Sequence, residues 1–241
     1  MQRGKVDGQP AYVLHSYPFR ETSLIVEVFS RDFGRIALLA RGARRPRAAI
    51  RGLLLGFQPL ELGWAGKGEV PNLMKAEWVG GQPLLGGEAL FCGYYLNELL
   101  LHLLPREDAH PVLFARYGSI LQRLAGHANR IAREADLRCF EKYLLQELGY
   151  GLTLEHDASG EPVSADAFYS YRMEQGAVRL PHAEAEEGAL RGKTLLDLAA
   201  EDLSDPASRN EAKLMMRRLF SFYLAGKELV SRHVFADLQR F

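Results

Sequence analysis

Cysteine is scarce in this chain. Cys92 and Cys139 are the only two, and each falls in an apolar stretch of helical spacing where a small buried hydrophobe is expected. That excludes a disulfide-stapled scaffold and a Cys-x-x-Cys metal or redox site, and it fits a reducing, cytoplasmic setting. The seven histidines, His15, His102, His110, His127, His156, His182 and His233, are scattered singly, without the HxxxH spacing of a zinc-binding helix. No G-x-S-x-G elbow, Cys/His nucleophile context or dense carboxylate cluster occurs, so no residues declare a catalytic site. Long hydrophobic runs are missing as well. The most apolar stretch, Ala89 to Leu104, is interrupted by Asn97, Glu98 and His102 and falls short of the ~20 residues of a membrane span. The start, MQRGKVDGQPAYVLHSY, has no apolar core of a secretory signal. Internal repeats and low-complexity tracts are also lacking.

What remains is an ordinary globular composition, 47% hydrophobic and 25% charged over 241 residues, enough for two modest domains. The formal net charge of zero conceals a strong polarity. Residues 1–80 carry 12 Lys+Arg against 7 Asp+Glu, residues 81–208 carry 11 against 20, and residues 209–241 carry 7 against 3. Local fields of opposite sign attract different partners, so the two ends of the chain are the places to look for an anionic ligand.

Five short runs of β character open the chain: Ala11 to Tyr17, Thr22 to Ser30, Gly34 to Arg41, Gln58 to Trp64 and Asn72 to Val79. Arg31-Asp32-Phe33-Gly34 makes a hairpin turn between the second and third, and Gly63 to Gly68 a glycine-rich turn between the fourth and fifth. Five short antiparallel strands predict a small closed barrel, of which the OB-fold is the commonest kind. After Gly80-Gly81-Gln82-Pro83 the period lengthens to that of helices, which places a domain boundary at 80/81. Helices are expected over Glu88 to Leu104, Pro111 to Leu124 and Ile131 to Leu148, stopped by Pro105, Gly126 and Gly149. Residues 151–189 read as irregular, with AFYSYRM and GAVRL as a short hairpin. A last helix is expected from the Ser208-Arg209-Asn210-Glu211 capping box to Gly226. The fold expected is thus α+β: a barrel domain over 1–80 and a mainly helical domain over 81–241 with an irregular β insertion.

The strongest local signal is ARGARRPRAAIRG. Arg41, Arg44, Arg45, Arg47 and Arg51 cluster there, and no acidic residue occurs from Phe33 to Leu60. Guanidinium groups without counter-charges repel one another and a Gly/Pro-broken loop cannot bury them, so they should project into water and meet phosphate. Arg35 and Lys67 on the barrel, and Lys213, Arg217 and Arg218 on the last helix, are further candidate DNA contacts. Bases stack on exposed rings, and Tyr17, Phe19, Phe33 and Phe57 are candidates, although most rings of so small a barrel belong to its core. Gly188 to Thr194 (GALRGKT) resembles a phosphate loop but has three residues, not four, before Gly-Lys-Thr, and an acidic approach in place of a strand.

On the helix Ile131 to Leu148, Leu137, Phe140 and Leu144 recur at helical spacing while Arg138 and Lys142 stand one turn apart beside them. A groove rimmed by cations would suit an acidic peptide bearing an aromatic residue. The alternative is that Glu134 neutralises Arg138 at i,i+4 and the apolar residues are core.

The segment AYVLHSYPFRETSLIVEVFSRDFGRIALLARGARR resembles the start of RecO proteins. GYYLNELLLHLL, FEKYLLQELGYGLTLEHDASGEPV and MMRRLFSFYLAGKELVSRHVF are similar to helical-domain segments of that family, so the resemblance spans nearly the whole chain. It implies an N-terminal OB-fold, a helical C-terminal domain and no enzymatic activity. It also implies binding of single- and double-stranded DNA, strand annealing, nucleoid association, and partnership with RecR and single-stranded-DNA-binding protein in RecA loading. Some members carry a four-cysteine zinc site where this chain has Glu155 to Pro181 without a cysteine; the resemblance is therefore to the zinc-free subgroup, with no metal or other cofactor expected. The acidic, phenylalanine-ended tail of single-stranded-DNA-binding protein is a family partner, and the resemblance favours Arg138, with Leu137, Phe140, Lys142 and Leu144, as its receptor. An RNA-binding barrel protein and a cryptic nucleic-acid hydrolase are the competing readings.

Overall fold

In the computed structural model, which describes residues 4–126, 129–182, 186–232 and 234, the first strand is the organiser. β1 (Val6–Phe19) pairs antiparallel with both β2 (Ser23–Ser30) and β4 (Pro59–Ala65), and a register shift between Val13 and His15 bends it round the barrel. With β3 (Gly34–Ala40) and β5 (Asn72–Trp78) it closes a barrel in the order β1-β2-β3-β5-β4. The closure between β3 and β5 is parallel and narrow: Leu39 opposes Asn72, and the Leu39 N–H donates to the Pro71 carbonyl at 2.8 Å. Val13, Val26, Val28, Leu38, Leu60 and Leu62 fill the interior. The expected five-stranded barrel is what forms.

Alternation alone would leave the residues between these in water, yet Tyr12, Leu14 and Phe29 are buried too. Two helices cover them. α2 (Gly87–Leu103) and α3 (Pro111–Gly126) belong to the same compact unit as the barrel. The Tyr117 ring of α3 meets Tyr12 edge-on at 5.1 Å, and Phe114 lies 5.3 Å from Tyr12 and 5.5 Å from Phe29. The Asn97 side chain donates to the Leu14 carbonyl at 2.8 Å and accepts from the Tyr117 hydroxyl at 2.5 Å, which satisfies the buried polar groups of this layer. A second tie is ionic. The buried Glu27 carboxylate holds Arg106 and, at 3.3 Å, Arg35, whose Nε donates to the Leu104 carbonyl at 3.0 Å. Gly34 stands where a Cβ would lie 1.8 Å from the Asp108 carbonyl oxygen, with φ +65°, so glycine alone fits. Residues from Leu229 return to this unit: the Val230 and Ser231 N–H groups donate to Glu98 at 3.0 and 2.9 Å, and Arg232 donates to the Tyr95 hydroxyl at 2.8 Å. The expected change of period near residue 81 is thus where strands give way to helices, while the compact units divide at Gly126 and His127.

The second unit, His127–Glu228, is built on α4 (Arg130–Glu147) and α6 (Pro206–Tyr223), with α5 (Gly192–Ala199) and a three-stranded sheet ordered β7-β6-β8. β6 (Phe168–Arg172) and β7 (Gly176–Leu180) form the hairpin that the alternating segments predict; β8 is Leu190–Arg191. Leu144, Leu145, Leu195, Leu198, Met216 and Phe220 are its buried centre. Two expectations are corrected. α6 begins not at a Ser208 capping box but at Asp205, whose side chain accepts from the Ala207 N–H at 3.1 Å, with Pro206 in the first turn. Ser208 lies inside the helix, its hydroxyl between the carboxylates of Asp197 (2.5 Å) and Asp205 (3.0 Å). And α5 is an element the sequence reading lacks: of the segment that resembles a phosphate loop, Leu190–Arg191 is β8 and Gly192 to Thr194 open a short amphipathic helix.

Candidate nucleic-acid interface

The arginine segment owes its shape to three apolar anchors. Ala43 and Leu54 are buried in the barrel core and Ile50 packs against it, so the chain between β3 and β4 is tethered at both ends and near its middle. Arg41, Arg44, Arg45, Arg47 and Arg51 are what is left, and all five are exposed. The segment is not floppy. Turns with left-handed backbone at Gly42 and Arg47 lead into a single helical turn, α1 (Ala49–Leu53), through the Arg45 N–H to the Gly42 carbonyl (3.0 Å) and the Ala48 N–H to the Arg45 carbonyl (3.1 Å). Among the described residues none of Arg41, Arg45, Arg47, Arg51 and Lys67 has an acidic partner. Four guanidinium groups and one ammonium group with no internal counter-charge make a surface whose field attracts anions.

Arg44 differs from its neighbours. Its N–H donates to the Thr22 carbonyl at 2.8 Å and its Nη1 to the Arg20 carbonyl at 3.2 Å, which pins the segment to the turn between β1 and β2. Arg20 is thereby brought into the basic surface, exposed, with a left-handed φ of 51° and its guanidinium carbon 5.2 Å from the centre of the Phe19 ring. Sequence reasoning missed Arg20 because Glu21 follows it; the turn signal Tyr17-Pro18-Phe19-Arg20 was the available clue. Arg35 is turned to another use. Burial pushes its guanidinium below the usual range against the pull of Glu27, and its donors serve Glu27 and Leu104.

On α6, Lys213 pairs with Glu134 at 3.3 Å and Arg218 donates to the Gly188 carbonyl at 3.3 Å, while Arg217 is exposed and has no acidic partner among the described residues. Of the candidate stacking rings, Tyr17 and Phe33 are exposed, Phe19 is half-buried and Phe57 belongs to the core. Among the exposed rings that the sequence reading passed over is Trp78, 60% exposed at the end of β5.

α4 is more engaged than a rimmed groove would be. Phe140 and Leu144 are core and Leu137 is half-buried. Arg138, 7% exposed, donates to Glu141 at 2.5 Å, so its partner is Glu141 and not Glu134, which holds Arg130 and Lys213. Lys142 Nζ reaches the carbonyls of Leu198 and Ala199, both at 3.2 Å, at the end of α5, and Glu201 at 2.9 Å. A lysine there adds a charged donor to carbonyls at the negative end of the helix.

The amides that a phosphate loop would need are taken. The Gly192 N–H donates to the Ala167 carbonyl at 2.7 Å and the Lys193 N–H to the Ala165 carbonyl at 3.0 Å. Lys193 Nζ pairs with Asp197 at 2.5 Å and the Thr194 hydroxyl donates to Glu211 at 2.5 Å. No helix among the described residues is long and apolar enough to cross a membrane.

Comparison with known proteins agrees with this architecture. The family model described as Recombination protein O N terminal matches residues 7–82, and that described as Recombination protein O C terminal matches residues 85–233. The chain is 71% identical over 237 residues to the DNA repair protein RecO of Dechloromonas aromatica, covering 98% of each. It is 50% identical over 237 residues to that of Ralstonia nicotianae, covering 98% of this chain and 86% of the relative. To that of Aromatoleum aromaticum it is 50% identical over 240 residues, covering 99% and 98%. Matches that run through both the barrel and the helical region, and cover the relatives almost end to end, leave one assignment: the chain belongs to the RecO family of DNA repair proteins.

Proposed function

We propose that this protein acts in recombination repair as a non-catalytic mediator that holds DNA on its barrel, binding single and double strands by their phosphates and promoting annealing of complementary strands. The observation that carries the reading is the anchored arginine segment: Ala43, Ile50 and Leu54 fix the backbone while Arg41, Arg45, Arg47 and Arg51 stand exposed with no acid to neutralise them. Contacts of this type read charge and not sequence. Replacing Arg44, Arg45 and Arg47 together by Ala is expected to weaken binding to unrelated DNA sequences alike and to lower the slope of log affinity against log salt by about two to three. The fold should survive, because the apolar anchors are untouched. An unchanged affinity and salt slope would move the DNA surface elsewhere, with Arg217 on α6 the next place to look.

The same reading includes RecR and the acidic tail of single-stranded-DNA-binding protein as partners in loading RecA, in the cytoplasm on the nucleoid. Since Arg138 already holds Glu141, a tail carboxylate would bind it by taking that carboxylate's place. A labelled tail peptide titrated into Glu141→Gln protein, where the guanidinium is released, should bind more tightly than to the unaltered chain; weaker or equal binding removes Arg138 from the tail site.

A further inference from the structure

The arginine segment runs alongside β5. It leaves β3 where Leu39 meets Asn72, and it rejoins the barrel at Gln58 and Pro59, beside the far end of the same strand. At that far end stands Trp78. The two tryptophans have opposite fates: Trp64 is barrel core, whereas Trp78 keeps 60% of its surface in water. Burial therefore does not explain Trp78, whose indole presents a large aromatic face to whatever can stack on it. Its backbone is paired with Leu60 across the strand pair, and the indole N–H donates to Gln58 Oε1 at 3.2 Å, which fixes one edge of the ring and leaves most of it in solvent. The nearest acid on the strand, Glu77, is paired with Lys75 at 2.9 Å.

Resting on the nucleic-acid reading above, we propose that Trp78 is a base-stacking residue: a single strand whose phosphates lie on the arginine segment places a base on the Trp78 indole. Positive charge along a track, with an oriented aromatic face at its end, is the combination that holds unpaired nucleic acid. The hydrogen bond to Gln58 means that little side-chain freedom is lost when a base arrives. Bases within a duplex are already stacked on one another, so Trp78 distinguishes single from double strands while the arginines serve both.

The test uses the full chain, a labelled oligothymidylate and a duplex of equal length. Trp64 is shielded in the core, so a single-strand-dependent quench of tryptophan fluorescence reports Trp78 and should vanish in Trp78→Phe, which keeps a ring and binds nearly normally. Trp78→Ala should weaken oligothymidylate binding by about tenfold or more. Its duplex affinity and salt slope should stay unchanged, because no charge is lost. A strand that binds by anisotropy without quenching Trp78, with Trp78→Ala binding as well as the unaltered protein, overturns the proposal while leaving the DNA reading intact, and points to a protein partner for this ring. Equal losses for both ligands in Trp78→Ala also overturn it, since they mark a structural role. Failure of the unaltered chain to bind either DNA takes down the reading beneath it instead.

Discussion

The two ions with the sharpest consequences at the scale of single residues are Arg138 and Glu141, whose side chains are 8% and 0% exposed. Charges taken that far out of water need opposite charge close by, and removing one takes that charge away from the other. Arg138→Ala is expected to cost about 3–5 kcal/mol in urea unfolding. Replacing both residues by Met and Leu should cost far less, and a double-mutant cycle reads the difference. This bears on any use of Arg138→Ala to probe a partner: lost binding has to be read beside lost stability. The pair also shows what a sequence leaves open. Arg138 has Glu134 four residues before it and Glu141 three after, both with acceptable helical spacing, and only packing decides that Glu141 is the one buried with it. The arginine segment was legible for the opposite reason: with no acid from Phe33 to Leu60, no packing arrangement within that stretch could neutralise it. Arg20 and Trp78 were not legible, because exposure depends on which strand ends meet across the barrel, and that is a long-range matter.

Among the elements, α6 depends most visibly on its first turn. Asp205 accepts from the Ala207 N–H and is approached by Ser208 and Arg191, and these bonds, the backbone one foremost, hold its carboxyl down at about 2. A carboxyl lowered in the folded state stabilises it above the ordinary value of 3.8, and that contribution is lost as pH falls towards about 2. Asp205→Asn is therefore expected to lower stability at neutral pH and to flatten the acid limb between about pH 4 and pH 2, so that the two proteins converge towards about pH 2, which thermal unfolding from neutral pH down to that point checks. The strands and long helices were readable because period two and period 3.6 persist over many residues. α6's start was misplaced by three residues because Ser208 and Asp205 both offer an acceptor, but Pro206 was the clue: proline favours the first helical position, so the cap belongs just before it. α5 escaped because it spans eight residues and opens on a glycine. Gly192 is required there by the Ser164 carbonyl, which would lie 1.9 Å from a Cβ, and not by any helical preference.

Over the whole molecule, the assignment of residues to units differs from the order of motifs along the chain. Tyr12, Leu14 and Phe29 are covered by helices that follow the barrel in sequence, so a fragment ending near residue 82 is expected to expose them and to aggregate, whereas one that keeps α2 and α3 stays dispersed; light scattering separates the two. The anchoring of Val230 and Ser231 by Glu98 adds a consequence in time. A chain emerging from the ribosome at roughly 5–20 residues per second presents α2 long before its last partners exist. Glu98 must wait while 132 further residues are made, on the order of 7–26 seconds, before the amides that it holds arrive. The barrel unit is thus begun first and completed last.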